Sequence, residues 1–165
     1  MGRLLIVHHS PTAATRDLLE AVLAGANDTE IAGVDVRAVP ALQATADDVL
    51  AADGYVLGTP ANFGYMSGAL KHFFDSTFLA IGGALDDTGG AGESAGATAK
   101  RPFGLFVHGR YDTTGAVRSV LSIVPALGWR QVHDVVEVMG DVDDRHLAAA
   151  YELGATVAAN ILEGT

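Results

Sequence analysis

The chain of 165 residues contains no cysteine. That absence excludes disulfides, thiolate nucleophiles and thiolate-held metals together, so any redox role has to belong to a bound cofactor. Long apolar runs are missing as well. Although 49% of the residues are apolar, no run approaches the roughly 18 residues of a membrane-spanning helix. Basic charge is scarce, with 10 Lys and Arg against 20 Asp and Glu and a formal charge of −10. Nucleic acid and anionic membranes are therefore disfavoured as partners, since both bind through basic patches, and acidity of this size serves solubility. The apolar stretch at the N-terminus, Leu4 to Val7, stops at His8 and His9 and is too short for a signal-peptide core. A myristoylation motif would need Ser or Thr where Ile6 stands. A cytoplasmic protein is the expectation.

A chain of this length makes one domain, burying roughly 70% of the surface its unfolded form exposes. Arg3 to His8 reads as a buried strand, and Thr15 to Ala26 as a helix with Leu18, Leu19, Val22 and Leu23 on one face. Val34 to Val39 alternates as a second strand, Thr45 to Ala52 opens with a cap and two aspartates, and Gly54 to Gly58 is a third strand. Leu70, Phe73, Phe74, Thr77 and Phe78 form one stripe on a helix from about Ser67 to Leu79. Phe103 to His108 is the fourth strand, followed by a helix whose inner face is Val117, Val120, Leu121, Val124 and Leu127. Val132 to Met139 is the fifth strand. The last helix opens near Asp141, with Leu147, Ala150, Tyr151, Val157, Ala158 and Ile161 inward. Five alternations of strand and helix predict a parallel sheet covered on both faces.

Between 82 and 99 this rhythm breaks: six glycines and five alanines show no periodicity. The segment reads as a long flexible loop. It also contains Gly92-Glu93-Ser94-Ala95-Gly96, which fits G-x-S-x-G with Asp112 and His133 downstream. A serine hydrolase is thus a remote alternative, weakened because a nucleophile elbow needs a strand before the serine and a helix after it.

Ligands of such sheets bind beyond the carboxyl ends of the strands. After the first strand comes Ser10-Pro11-Thr12-Ala13-Ala14-Thr15. Hydroxyls of Ser10, Thr12 and Thr15, with backbone N–H groups from 12 onward, are placed to converge on an anion at the positive end of a helix. The same residues would also serve as an ordinary helix cap. No G-x-x-x-x-G-K-[ST] occurs, and the one G-x-G-x-x-A string, Gly90 to Ala95, follows no strand and opens no helix. Nucleoside triphosphates and Rossmann dinucleotides are poor ligands for this chain.

After the third strand runs Pro60-Ala61-Asn62-Phe63-Gly64-Tyr65-Met66-Ser67-Gly68-Ala69-Leu70-Lys71-His72-Phe73-Phe74-Asp75. It resembles the P-x-x-[FY]-G-x-M-S-G-x-L-K-x-F-x-D segment of the NAD(P)H:quinone oxidoreductase and NADPH-dependent FMN reductase branch of the flavodoxin-like superfamily. Ser10, Thr12 and Thr15 fit that branch's [ST]-x-[ST]-G-x-T phosphate loop, with Ala13 standing where glycine is preferred and Ala14 where a polar residue is common. Alanine resists positive φ, so a different backbone path is expected there. The resemblance implies a doubly wound five-stranded parallel sheet of order 2-1-3-4-5. It implies FMN rather than FAD, held by the phosphate loop and by the Pro60 to Tyr65 loop. NAD(P)H would be the donor, a quinone or similar small molecule the acceptor, and a homodimer or homotetramer the assembly. His108-Gly109-Arg110-Tyr111-Asp112 resembles the third flavin loop by position.

In that loop Gly109 permits close backbone approach, and Tyr111 is placed to cover a ring face. His108, at a buried strand end, is more often a hydrogen-bonded structural group than a catalyst, and Tyr65 and Tyr111 read equally as rim aromatics. No catalytic side chain is expected, because the flavin would carry the chemistry. His8 and His9 point to opposite faces of a strand, and no spacing makes a metal site. A flavodoxin-type electron carrier without NAD(P)H activity is the principal alternative. As an enzyme, the protein would use the segment 82–99 as a lid that orders over the flavin.

Overall fold

A computed structural model describes residues 1–90, 92 and 96–164. The elements run β1 (Gly2–His8), α1 (Ala13–Ala26), β2 (Val34–Pro40), α2 (Ala46–Ala51), β3 (Gly54–Asn62), β4 (Tyr65–Met66), α3 (Gly68–Thr77), β5 (Pro102–Gly109), α4 (Thr114–Ile123), β6 (Arg130–Gln131), β7 (Val136–Met139) and α5 (Asp144–Glu163). The sheet order is β2-β1-β3-β5, with β6 and β7 both paired to the outer side of β5. All of these pairings are parallel; β4 alone runs antiparallel, against the end of β3. This is the flavodoxin-like 2-1-3-4-5 winding, with the expected fifth strand broken in two.

The break has a visible cause in the register. From Phe103 to Phe106, β5 advances three positions while its neighbour advances five, from Gln131 to Val136. The surplus is taken up by polar local bonding, with Gln131 Nε2 donating to the His133 carbonyl at 2.9 Å and the His133 ring to the Asp134 carbonyl at 2.7 Å. Side chains that bond nearby backbone compete with ladder formation in this way.

Period-two alternation sorts the strands onto two cores. Leu5, Val7, Tyr55, Leu57, Phe103, Leu105 and Val107 meet Leu70, Phe73 and Phe74 of α3 and Val120 of α4 on one face. On the other, Leu4, Ile6, Val56 and Phe106 meet α1 and α5 through residues such as Leu18, Val22, Leu153 and Val157. Helix α4 is shorter than its apolar pattern implies: it ends at Ile123, and a 3-10 turn, Val124–Leu127, carries Pro125 and keeps Val124 and Leu127 buried. Proline cannot donate the next helical bond. Tyr151, expected on the inner face of α5, is partly exposed and donates to the Asp28 carboxylate at the helix edge. Leu153 and Gly154 take the inner positions instead.

Topology fixes where the Gly/Ala-rich segment lies. Because α3 runs back from the carboxyl ends of the strands, the chain after it emerges at the opposite edge of the sheet. There Thr98, fully buried, donates its hydroxyl to the Ile81 carbonyl (2.9 Å) and accepts from Trp129 Nε1 (2.8 Å). The Lys100 amide donates to the Gly128 carbonyl (2.7 Å). Asp86 accepts from the amides of Thr88 and Gly90, both at 2.9 Å. The described part of 82–99 is therefore anchored at the amino-terminal edge of β5 and β6, away from the strand ends over which a lid is expected, while 91 and 93–95 lie outside the described residues. Among the described residues, no helix is long and apolar enough to cross a membrane.

Candidate functional site

A cleft of about 720 Å³ opens at the carboxyl ends of β1, β3 and β5. Thr12, Ala13 and Ala14 form its first wall, the turn of residues 60–64 its second, and residues 108–112 its third. Thirteen of the sixteen site residues expected from the sequence line it; Ser10, Thr15 and Tyr65 stand outside the lining.

The first wall departs from the expected convergence of three hydroxyls. Thr12 caps α1 from an extended conformation, its hydroxyl accepting from the Thr15 amide at 3.2 Å. Thr15 is fully buried and closes the box, donating its hydroxyl to the Thr12 carbonyl at 3.0 Å and accepting from the Thr12 amide at 3.2 Å. Both hydroxyls are spent on the cap. Ser10 Oγ lies 2.9 Å from His8 Nδ1. What faces the cleft is backbone: Ala13 and Ala14 are the first two helical residues, and N–H groups at those positions have no intrahelical acceptor. With the helix dipole behind them they form an anion cradle. Ala13 is helical, so the alanine that stands in place of glycine needs no positive φ.

The second wall is a tight hairpin. Asn62 pairs with Tyr65, leaving Phe63 and Gly64 as a two-residue turn with φ of 51° and 78°. Left-handed values at both positions mark a type I′ turn, which suits glycine and strains an aromatic residue. The Phe63 side chain is fully solvent-exposed at the cleft mouth. Thr59, buried, ties the hairpin to α3: its hydroxyl donates to the Pro60 carbonyl (2.8 Å) and accepts from the Ser67 amide (2.9 Å). Ser67 in turn caps α3 by accepting from the Leu70 amide.

In the third wall His108 is nearly buried and donates Nε2–H to the Gly140 carbonyl at 2.7 Å, while the Gly140 amide returns a bond to the Gly109 carbonyl. The histidine thus ties two strand ends together, the structural alternative weighed from the sequence. Arg110 pairs with Asp141 at 2.7 Å on the exposed rim. Tyr111 is almost fully exposed, and Asp112 accepts from the Thr114 amide at the start of α4. Gly140 and Asp141 were not among the expected site residues. The end of the fifth strand, Met139-Gly140-Asp141, was the available signal, since every strand end of such a sheet borders the cleft.

Asp112 and His133 are bonded to their own neighbours and Ser94 lies outside the described residues, so the hydrolase arrangement finds no support. Among the described residues, no group of three or more His, Asp or Glu is placed to hold a metal ion.

Residues 5–142 match the family described as NADPH-dependent FMN reductase. The chain belongs to that family. Curated relatives of this FMN reductase family member include a flavodoxin of Aquifex aeolicus (strain VF5), 37% identical over 86 residues covering 52% of this chain and 45% of the relative. An NAD(P)H dehydrogenase (quinone) of Acidithiobacillus ferrooxidans is 33% identical over 95 residues, 47% of this chain and 48% of the relative. The alignments thus span about half the length of these relatives. In fold, an archaeal flavodoxin superposes with a TM-score of 0.76 at 16% identity, covering 97% of this chain and 99% of the other. A flavodoxin-like WrbA-like protein of Agrobacterium tumefaciens does so at 0.73 and 18% identity over 100% of both chains.

Family membership brings FMN as cofactor. The residues present suit FMN: the two free amides of Ala13 and Ala14 match a terminal phosphate, and the cleft volume lies within the 300–1,000 Å³ typical of cofactor sites.

Proposed function

We propose that this chain binds FMN in the cleft and passes a hydride from NAD(P)H to a quinone or similar small acceptor. The observation that carries the reading is the pair of amides at the start of α1 that have no partner among the described residues, opening into a cleft whose other two walls are tight backbone turns. FMN, when bound, supplies the ring that takes up the hydride and later gives up its electrons. Ala13 and Ala14 hold the phosphate through backbone N–H groups, with the helix dipole offsetting the overall acidity at short range. Residues 60–64 and 108–112 would hold the ring, and the exposed rings of Phe63 and Tyr111 would supply apolar cover. The donor and acceptor then occupy the same open side in turn, and the rim is polar enough to orient them through Arg110 and Asp112.

Reconstitution with FMN and stopped-flow mixing with NADPH or NADH test the reading. Flavin absorbance should bleach within the turnover time and return when a quinone is added. A second reading, an electron carrier like the Aquifex flavodoxin, is favoured by that relative's similarity. It predicts bound FMN that NAD(P)H reduces only through a separate reductase. Absence of bound FMN would overturn both.

A further inference from the structure

Ser10 belongs to the phosphate loop by position, yet its hydroxyl lies 2.9 Å from His8 Nδ1. The polarity of that bond decides what the hydroxyl offers to an anion. When Nδ1 bears a lone pair, Ser10 donates its only proton to the ring and presents only oxygen lone pairs to its other neighbours. When Nδ1 bears a proton, the ring donates to Ser10 Oγ and the hydroxyl proton is released toward the loop.

We propose that His8 is a positioning residue for the cofactor phosphate: binding of FMN draws a proton from solvent onto Nδ1, and the resulting Nδ1–H···Oγ bond turns the Ser10 hydroxyl into a donor to the phosphate. This rests on the FMN reading above. The step transfers one proton, from solvent to Nδ1; the Ser10 hydroxyl keeps its own proton and redirects its hydrogen bond from Nδ1 to a phosphate oxygen.

The surroundings support the direction. His8 continues the series Leu4 and Ile6, which faces α1, so the ring and the amides of Ala13 and Ala14 lie toward the same helix start. In the strands beside it, His8 pairs with Pro40 and Gly58, neither of which titrates. The loop after β2, residues 41–45, carries no ionisable side chain. On α1 the ionisable residues of the first two turns are Arg16, whose guanidinium is bonded to the Pro11 carbonyl, and Asp17. Burial, and then the charge of His9, holds the His8 ring below the usual histidine range, which favours the uncharged ring. A phosphate dianion close to the ring favours the imidazolium and raises that value again.

The inference is tested by nitrogen-15 NMR of the histidine rings in the full chain, with the His8 signals assigned by their loss in H8N. Expected are an unprotonated Nδ1 in the free protein near neutral pH, a protonated Nδ1 with FMN at saturation, and an upward-shifted titration midpoint. Riboflavin, which has the ring but no phosphate, should leave both nitrogens as in the free protein. In parallel, S10A should lower FMN affinity about tenfold, the size of one hydrogen bond to a charged group, and leave riboflavin affinity unchanged. An Nδ1 that stays unprotonated in the FMN complex, or an equal change with riboflavin, overturns the inference while the FMN reading stands. Failure of the protein to take up FMN at all, read from the visible spectrum, overturns both.

Discussion

Gly115, in the first turn of α4, lies against the carbonyl oxygen of Gly64 so closely that a Cβ built on it would fall 2.1 Å from that oxygen. Two walls of the cleft are thereby wedged together: the 63–64 turn rests on the helix that follows the 108–112 turn. G115A must push the hairpin outward. Overpacking of this kind costs about 1–3 kcal/mol, and FMN affinity should fall with stability. Thermal unfolding and flavin titration check it; unchanged values in both would show the contact to be slack.

Phe63 holds a left-handed backbone that aromatic residues rarely adopt, while its side chain buries nothing in the chain. Asparagine tolerates that conformation. F63N should therefore raise stability by about 1 kcal/mol and weaken flavin binding, because the ring at the cleft mouth is lost. Denaturant unfolding without flavin, beside a fluorescence titration with FMN, separates the two effects.

Thr15 is sealed in its cap, so T15A is a stability variant first. A loss of about 1–2 kcal/mol is expected, measured by denaturant unfolding in the absence of flavin. FMN affinity should fall less than in S10A, because the amides of Ala13 and Ala14 remain.

Thr98 tests the placement of the Gly/Ala-rich segment. T98A leaves the buried Trp129 indole N–H without its acceptor, at a cost of about 1–3 kcal/mol. Since Thr98 sits at the edge opposite the cleft, the folded variant should keep the parent's FMN affinity and NAD(P)H oxidation rate. A selective loss of turnover would return the segment to the site.

Asp143 caps α5, and the His146 amide it accepts holds its carboxyl below the usual 3.8. A depressed folded-state value means stability that is present above the unfolded value and lost as pH falls through the folded one. D143N keeps a capping side chain but cannot titrate. It should match the parent near neutral pH and show a shallower loss of stability in acid below about pH 4, followed by chemical unfolding across that range.

Most of the architecture was legible in the residues because it rests on local chemistry. Period-two apolar runs place β1, β3 and β5, the Leu70–Phe73–Phe74 stripe places α3, and Thr12, Thr45 and Ser67 mark three helix starts that the chain uses as caps. The three loops that build the cleft follow from their places after strands, and most of their residues do line it. Hydrogen-bond allegiance was not legible. Sequence spacing puts Ser10, Thr12 and Thr15 within reach of one anion, but only the folded backbone decides that two of those hydroxyls close a capping box and the third turns to His8. Nor could composition locate the segment 82–99. Glycine and alanine carry no face to read, and it is the return of α3 across the sheet, with Thr98 buried between Ile81 and Trp129, that sends the described part of the segment to the edge away from the cleft.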